Sequence, residues 1–155
     1  QSHDADCSLT THPIHRQAAP GAAFLFGTSM QRKLIAIAGF FGLTAVALGA
    51  FAAHTLKAHL STLLLSTFQT GVQYQMSHAL ALLLVALLLD RYPSRWLMAS
   101  GWLWVTGIVL FSGSLYGLAL GGPALLGPIT PLGGICFLLG WACVVAAALS
   151  SSAER

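Results

Sequence analysis

The stretch Leu34–Ala53, LIAIAGFFGLTAVALGAFAA, carries no charged side chain. As a helix rising about 1.5 Å per residue it is about 30 Å long, which matches the hydrocarbon layer of a bilayer. Three further runs of the same character follow, near Thr70–Leu89, Trp96–Leu120 and Pro131–Ala148. The chain is 56% hydrophobic and 7% charged, with a mean hydropathy of +0.77, whereas soluble domains carry about a quarter charged residues. So few charges cannot cover a soluble surface. The expected architecture is all-α: an integral membrane four-helix bundle over residues 30–149, with a short cytoplasmic tail at 150–155. The four runs leave no room among them for a separate soluble enzyme domain.

Residues 1–29 differ from the rest. Asp4, Asp6, His12, Pro13, His15, Arg16 and Pro20 break any helical or strand period, so this segment is expected to be a disordered extension. No functional metal site is expected from His3, His12 and His15. Met30 is the first methionine and directly precedes Gln31-Arg32-Lys33, which makes it a candidate translation start. A rival reading takes Met30–Ala52 as a signal peptide, with Arg32 and Lys33 as its basic start and Ala50-Phe51-Ala52 as an A-x-A-like cleavage site. Both readings stay open at this stage.

Between the first two spans, Leu56, Leu60, Leu63 and Leu64 share one helical face while Lys57, Ser61 and Thr62 lie elsewhere on the turn. That pattern predicts a short interfacial amphipathic helix. Arg32, Lys33, Arg91, Arg95 and Arg155 fall on one side of a four-span topology and Lys57 on the other. The bias of basic residues towards the cytoplasm then places both termini inside, in a bacterial inner membrane. Topology explains the net charge of +3, so no nucleic-acid partner is expected. Membrane lipid is, together with a second copy or another membrane protein.

The first half of the second span holds Gln69, Gln73, Tyr74, Gln75 and His78 where a plain anchor has leucine or valine. An unpartnered amide costs a few kcal/mol in an apolar medium, on the order of 2–7. These groups are therefore expected to point into the bundle. The candidate intramembrane cluster comprises Gln69, Gln73, Tyr74 and His78, joined by Ser112, Ser114 and Tyr116 from the third span. Tyr74 and His78 share a face, so a bond from the Tyr74 hydroxyl to the imidazole is sterically allowed. The plainer reading of His78 is a satisfied structural histidine; the functional one is a proton relay or polar ligand site. His54 and Lys57 form the outer mouth, about 10 Å from the depth of His78, too far for the two imidazoles to share a metal or haem.

Gly113, Gly117 and Gly121 repeat every four residues, as do Ala45, Gly49 and Ala53 in the first span. In lipid, such stripes let helix backbones approach closely, so the Gly113 series is expected to be a groove through which this non-enzymatic protein packs with itself or with a partner membrane protein; the alternative is a channel or transporter component with a polar path along the second span. Trp96, Trp102 and Trp104 are expected in the interfacial aromatic belt. Pro131 suits the first turn of the fourth helix. Cys136 and Cys143 lie about 10 Å apart along that helix, too far to bond to each other. Beyond residue 29 the only acids are Asp90 and Glu154, so no carboxylate pair or acidic magnesium site can be assembled in the bundle. No serine triad is present there either, and neither Gly121-Gly122 nor Gly133-Gly134 has the lysine of a phosphate loop. Neither an enzyme nor a cofactor is expected.

Several motifs occur together and in order: GAFAAHTLK at 49–57, FQTGVQYQMSHALAL at 68–82, FSGSLY at 111–116, ITPLGG at 129–134 and Gly140-Trp141. Over about Met30–Ala148 the chain resembles the YgdD-like family of small bacterial inner-membrane proteins, a domain of unknown function with eukaryotic transmembrane relatives. The family motif around His54 reads closer to G-A-F-G-A-H-A-L; here Ala52 stands for a glycine and Thr55 for an alanine. The resemblance implies a four-helix integral membrane protein and supplies no reaction.

Overall fold

The computed structural model describes residues 20–150, with side chains from Ser29 onward. Its helices are α1 (Pro20–His54), α2 (Thr62–Arg91), α3 (Arg95–Gly107), α4 (Gly113–Ala119) and α5 (Leu126–Ser150). A 3-10 turn, Leu56–Ala58, follows α1, and one π-helical turn, Ile108–Ser112, joins α3 to α4 into a single spanning rod. Four helical segments are long and apolar enough to cross a membrane. The bundle is all-α among the described residues, as composition requires.

Several boundaries differ from the sequence reading. The backbone of α1 is helical from Pro20, so the expected extension overlaps the helix over 20–29 and otherwise lies outside the described residues; a proline at the first helical position is preorganised for such a start. The tail after Ser150 also lies outside them. No separate amphipathic helix occupies 54–68. The chain turns in the 3-10 segment, and residues from Thr62 already belong to α2, because the Ser61 hydroxyl caps that helix by accepting from Leu64 N at 3.4 Å. With 30 residues, α2 is about 45 Å long and exceeds the hydrocarbon layer. Likewise α5 starts at Leu126, and Pro131 lies inside it rather than opening it.

Antiparallel α1 and α2 pack along Leu34, Ala38, Ala45 and Ala52, all buried. Gly49 contributes as expected, facing Val72 Cγ1, whereas Ala53 is exposed. The second tight pair is α3 with α5. An added Cβ at Gly133 would fall 2.8 Å from Phe111 Cα, and one at Gly140 would run into the Trp104 indole. Trp104 is consequently buried in the core, 1% exposed, while Trp96 and Trp102 keep the surface positions expected of a belt.

The Gly113 series does not serve this packing. Gly113 has nothing within 4 Å of its would-be Cβ, Gly117 is covered by the Leu126 side chain of the following helix, and Gly121 sits in the turn after α4 with φ +83°. The close approaches are made instead by Gly71, Gly107, Gly133 and Gly140. Helix contacts in lipid depend on local interdigitation, and a fourfold spacing does not say which face meets a neighbour.

Candidate functional site in the second span

The inward stripe of α2 contains Gly71, Gln75, His78, Ala79, Leu82 and Ala86, all buried. Gln75, only 4% exposed, is its polar centre. Its Nε2 donates to Phe41 O at 2.9 Å and to Thr44 Oγ1 at 2.7 Å. Its Oε1 accepts from the Tyr116 hydroxyl at 2.8 Å. One amide thus ties α1, α2 and α4 together, using both N–H groups and one oxygen lone pair. Thr44 remains able to accept because its own hydroxyl hydrogen is directed to Phe40 O at 2.9 Å or Phe41 O at 3.2 Å. The Tyr116 ring reaches Gln75 by lying over Gly71, where a Cβ would come within 2.7 Å of Tyr116 Cε1, and it packs on Phe68 at a centroid distance of 4.7 Å.

His78 lies one turn deeper and faces α5. Nδ1 is 2.9 Å from Tyr74 O, and Nε2 is 3.3 Å from Trp141 Nε1. An indole N–H can only donate, so Nε2 accepts and Nδ1 carries the hydrogen given to the Tyr74 carbonyl. Both ring nitrogens are satisfied in one tautomer of the neutral imidazole. The partner on Tyr74 is its backbone carbonyl rather than the hydroxyl that the sequence suggested. The imidazole stacks on Phe137 at 3.6 Å and 13°. Beside it a groove of about 430 Å³, lined in part by Tyr74, Phe111, Phe137 and Trp141, opens on the side of the bundle.

Ser114 Oγ links α4 to α5 by bonding Thr130 Oγ1 at 2.7 Å, and it also donates towards Phe111 O at 2.9 Å. Ser112, two residues before it and 0% exposed, bonds nothing: its Oγ and Trp104 Nε1 are the buried side-chain polar atoms without a partner among the described residues. Tyr74 is 41% exposed at the edge of the groove.

The structure therefore divides the expected cluster. His78, Ser112, Ser114 and Tyr116 are inside or partly inside, but Gln69 and Gln73 are exposed and face away from the bundle. This corrects the inward placement of those two glutamines. Two residues along a helix is a rotation of about 200°, so Gln73 and Gln75 lie on opposite faces. His54 and Lys57 are exposed at the far end. That end is set by the buried contact of Ala52 and Leu56 with Phe68, and His78 lies about 15 Å along α2 from Phe68. The two histidines are separate. No three His, Cys, Asp or Glu side chains converge among the described residues.

The sequence reading missed the partners Thr44, Thr130 and Trp141 and left Gln75 out of the cluster. One signal for Gln75 was available: it shares a stripe with Gly71, Ala79 and Ala86, and small residues mark the face where another helix comes close.

A family model described as "Protein of unknown function (DUF423)" matches residues 48–134. The chain is 46% identical over 120 residues to the UPF0382 membrane protein YwdK of Bacillus subtilis, covering 77% of this chain and 98% of the relative. It is 50% identical over 110 residues to a UPF0382 membrane protein of Haemophilus influenzae, covering 70% and 84%. With the UPF0382 inner membrane protein YgdD of Escherichia coli the identity is 42% over 119 residues, covering 77% and 91%. No solved structure matches the chain. The matched region includes Gln75, His78, Tyr116 and the close approach of Phe111 to Gly133, and on that extent of likeness the chain belongs to the DUF423 family, a family of unknown function, and its relatives are named UPF0382 membrane proteins.

Proposed function

We propose that the protein is a non-enzymatic assembly component of the bacterial inner membrane that associates, with a second copy or a membrane-protein partner, through the outward face of α2. The observation that carries this reading is the placement of Gln69 and Gln73. Both are exposed, both occur one turn apart on a spanning helix, and among the described residues neither side chain has a hydrogen-bond partner in its own chain. Counted from Arg91 at about 1.5 Å per residue, Gln73 lies just inside the outer edge of a hydrocarbon layer about 30 Å thick, where an amide without a partner is costly, and Gln69 lies one turn further out, at that edge. A neighbouring helix supplies the missing donors and acceptors, each such bond contributing about 0.6–1.7 kcal/mol. Of the glycine series only Gly113 offers open helical backbone to a neighbour, so the glutamines lead the association.

The test is oligomer size by native mass spectrometry from lipid nanodiscs. The wild type is expected to run as an oligomer or a complex. The Gln69→Leu/Gln73→Leu protein should shift to the monomer, with dissociation raised about tenfold or more. A monomeric wild type, or an unchanged size in the variant, removes the reading. The other reading is a path for protons or a small solute along α2, favoured by the groove that reaches His78. Its mark is liposome flux that disappears in His78→Ala. The pairing of Gln75 and His78 with groups of their own chain supports assembly over conduction.

This proposal places both termini in the cytoplasm, because Arg32, Lys33, Arg91 and Arg95 share one end of the bundle. It also keeps α1 in the mature protein. Leu34 is 0% exposed against the rest of the bundle, and Gln75 is bonded to Phe41 O, so cleavage after Ala52 would strip the α2 interface. Intact-mass measurement of protein purified from membranes is expected to retain residues 32–53; a species beginning at Ala53 would show processing instead.

A further inference from the structure

At the arginine-bearing end, the end of α2, the link that follows it, the first turn of α3 and the last turns of α5 frame a cavity of about 560 Å³. This lies within the size range of ligand pockets, about 300–1,000 Å³. Arg91 and Arg95 both line it. Leu88, Leu97 and Val144 continue its wall one to two turns further into the bundle. Among the described residues neither guanidinium has an ion-pair partner, neighbouring Asp90 included, and Arg95 lies over the Trp96 ring at 5.7 Å.

The cavity is therefore two-sided in chemistry. Planar guanidinium groups match the oxygens of a phosphodiester in forked geometry, and they sit where the spans end, at headgroup depth. The apolar wall beneath them runs into the hydrocarbon zone. A soluble phosphate would use the first part and leave the second unoccupied; a phospholipid uses both. We propose that this cavity binds one anionic phospholipid, with its headgroup phosphate on Arg91 and Arg95 and an acyl chain along Leu88, Leu97 and Val144. A zwitterionic lipid brings its own cation to the same guanidiniums and is disfavoured. The inference does not depend on the assembly reading, since the site lies at the opposite end of α2 from Gln69 and Gln73.

The experiment is native mass spectrometry of the detergent-purified protein titrated with phosphatidylglycerol or with phosphatidylcholine of the same chains. One phosphatidylglycerol per chain is expected, preferred about 30-fold over phosphatidylcholine, from two basic residues at the surface. Arg91→Gln/Arg95→Gln should reduce that preference to near unity, while Arg32→Gln/Lys33→Gln, at the same end but outside this cavity, should keep it. Glycerol phosphate, which has the headgroup and no chains, should not displace the lipid. Equal binding of both lipids, an unchanged preference in the arginine variant, an equal loss in the Arg32/Lys33 variant or displacement by glycerol phosphate would each overturn the proposal. Because both arginines are exposed, the helical circular dichroism of the variant should match wild type, separating lost binding from lost fold.

Discussion

Gly133→Leu is expected to prevent the native bundle from forming, and even Gly133→Ala should destabilise it by about 3 kcal/mol, the upper end of the range for overpacked cores. The reason is that the obstacle is backbone. A Cβ at Gly133 would fall 2.8 Å from Phe111 Cα and also meet Phe111 N, and no rotamer change relieves such a contact. Phe111 lies in the π-helical turn, where one extra residue per turn shifts the register of the rod. Separating α3 from α5 to make room would also expose Trp104, which is 1% exposed and packed on Gly140. Gly113→Leu is the matched control, since nothing lies within 4 Å of its added Cβ. Unfolding in increasing sodium dodecyl sulfate, followed by circular dichroism and tryptophan fluorescence, should show the first pair strongly shifted and Gly113→Leu near wild type. Equal sensitivity at the two sites would contradict the α3–α5 contact.

The second large effect is expected at Gln75. Gln75→Leu removes the bonds to Phe41 O, Thr44 Oγ1 and the Tyr116 hydroxyl together. At about 0.6–1.7 kcal/mol per interhelical bond in a membrane protein, the loss is about 2–5 kcal/mol. Tyr116→Phe should cost less, because it removes one bond and leaves the amide its other two. The double variant should lose less than the sum of the singles, since the Gln75–Tyr116 bond is counted in both. Additive losses in the same detergent titration would mean that the two side chains do not meet. Gln69→Leu, on the outer face, is expected to leave the unfolding midpoint of the single chain unchanged.

These contrasts mark what was legible in the sequence. Span number and approximate bounds follow from length and hydropathy alone, because a bilayer admits few alternatives to a helix whose backbone groups are internally bonded. The facing of individual residues does not follow as directly. Gln69, Gln73, Gln75 and His78 read alike as polar intrusions, yet a two-residue step reverses direction on a helix, so Gln73 and Gln75 have opposite fates. The stripe of Gly71, Ala79 and Ala86 resolved that choice, and it was readable. The glycine series at 113, 117 and 121 is regular in spacing yet forms no single groove within the bundle, because Gly121 ends a helix and Gly117 is covered by Leu126. Trp104 looked interfacial by count and is core, because Gly140 on α5 opens a place for its ring. The amphipathic pattern after His54 is divided between the 3-10 turn at Leu56–Ala58 and the first turns of α2, capped at Ser61.

The central claim is that α2 turns Gln75 to its own bundle and Gln73 to another chain. Disulfide trapping in native membranes tests both halves, using protein whose own cysteines are replaced by serine and which carries either Ser77→Cys, one turn from Gln73 on the exposed face, or Ala79→Cys, one turn from Gln75 on the buried face. Oxidation is expected to convert the Ser77→Cys protein into a disulfide-linked dimer or a cross-linked complex, while the Ala79→Cys protein stays monomeric on the gel. Cross-linking through Ala79→Cys, or none through Ser77→Cys, would contradict the account.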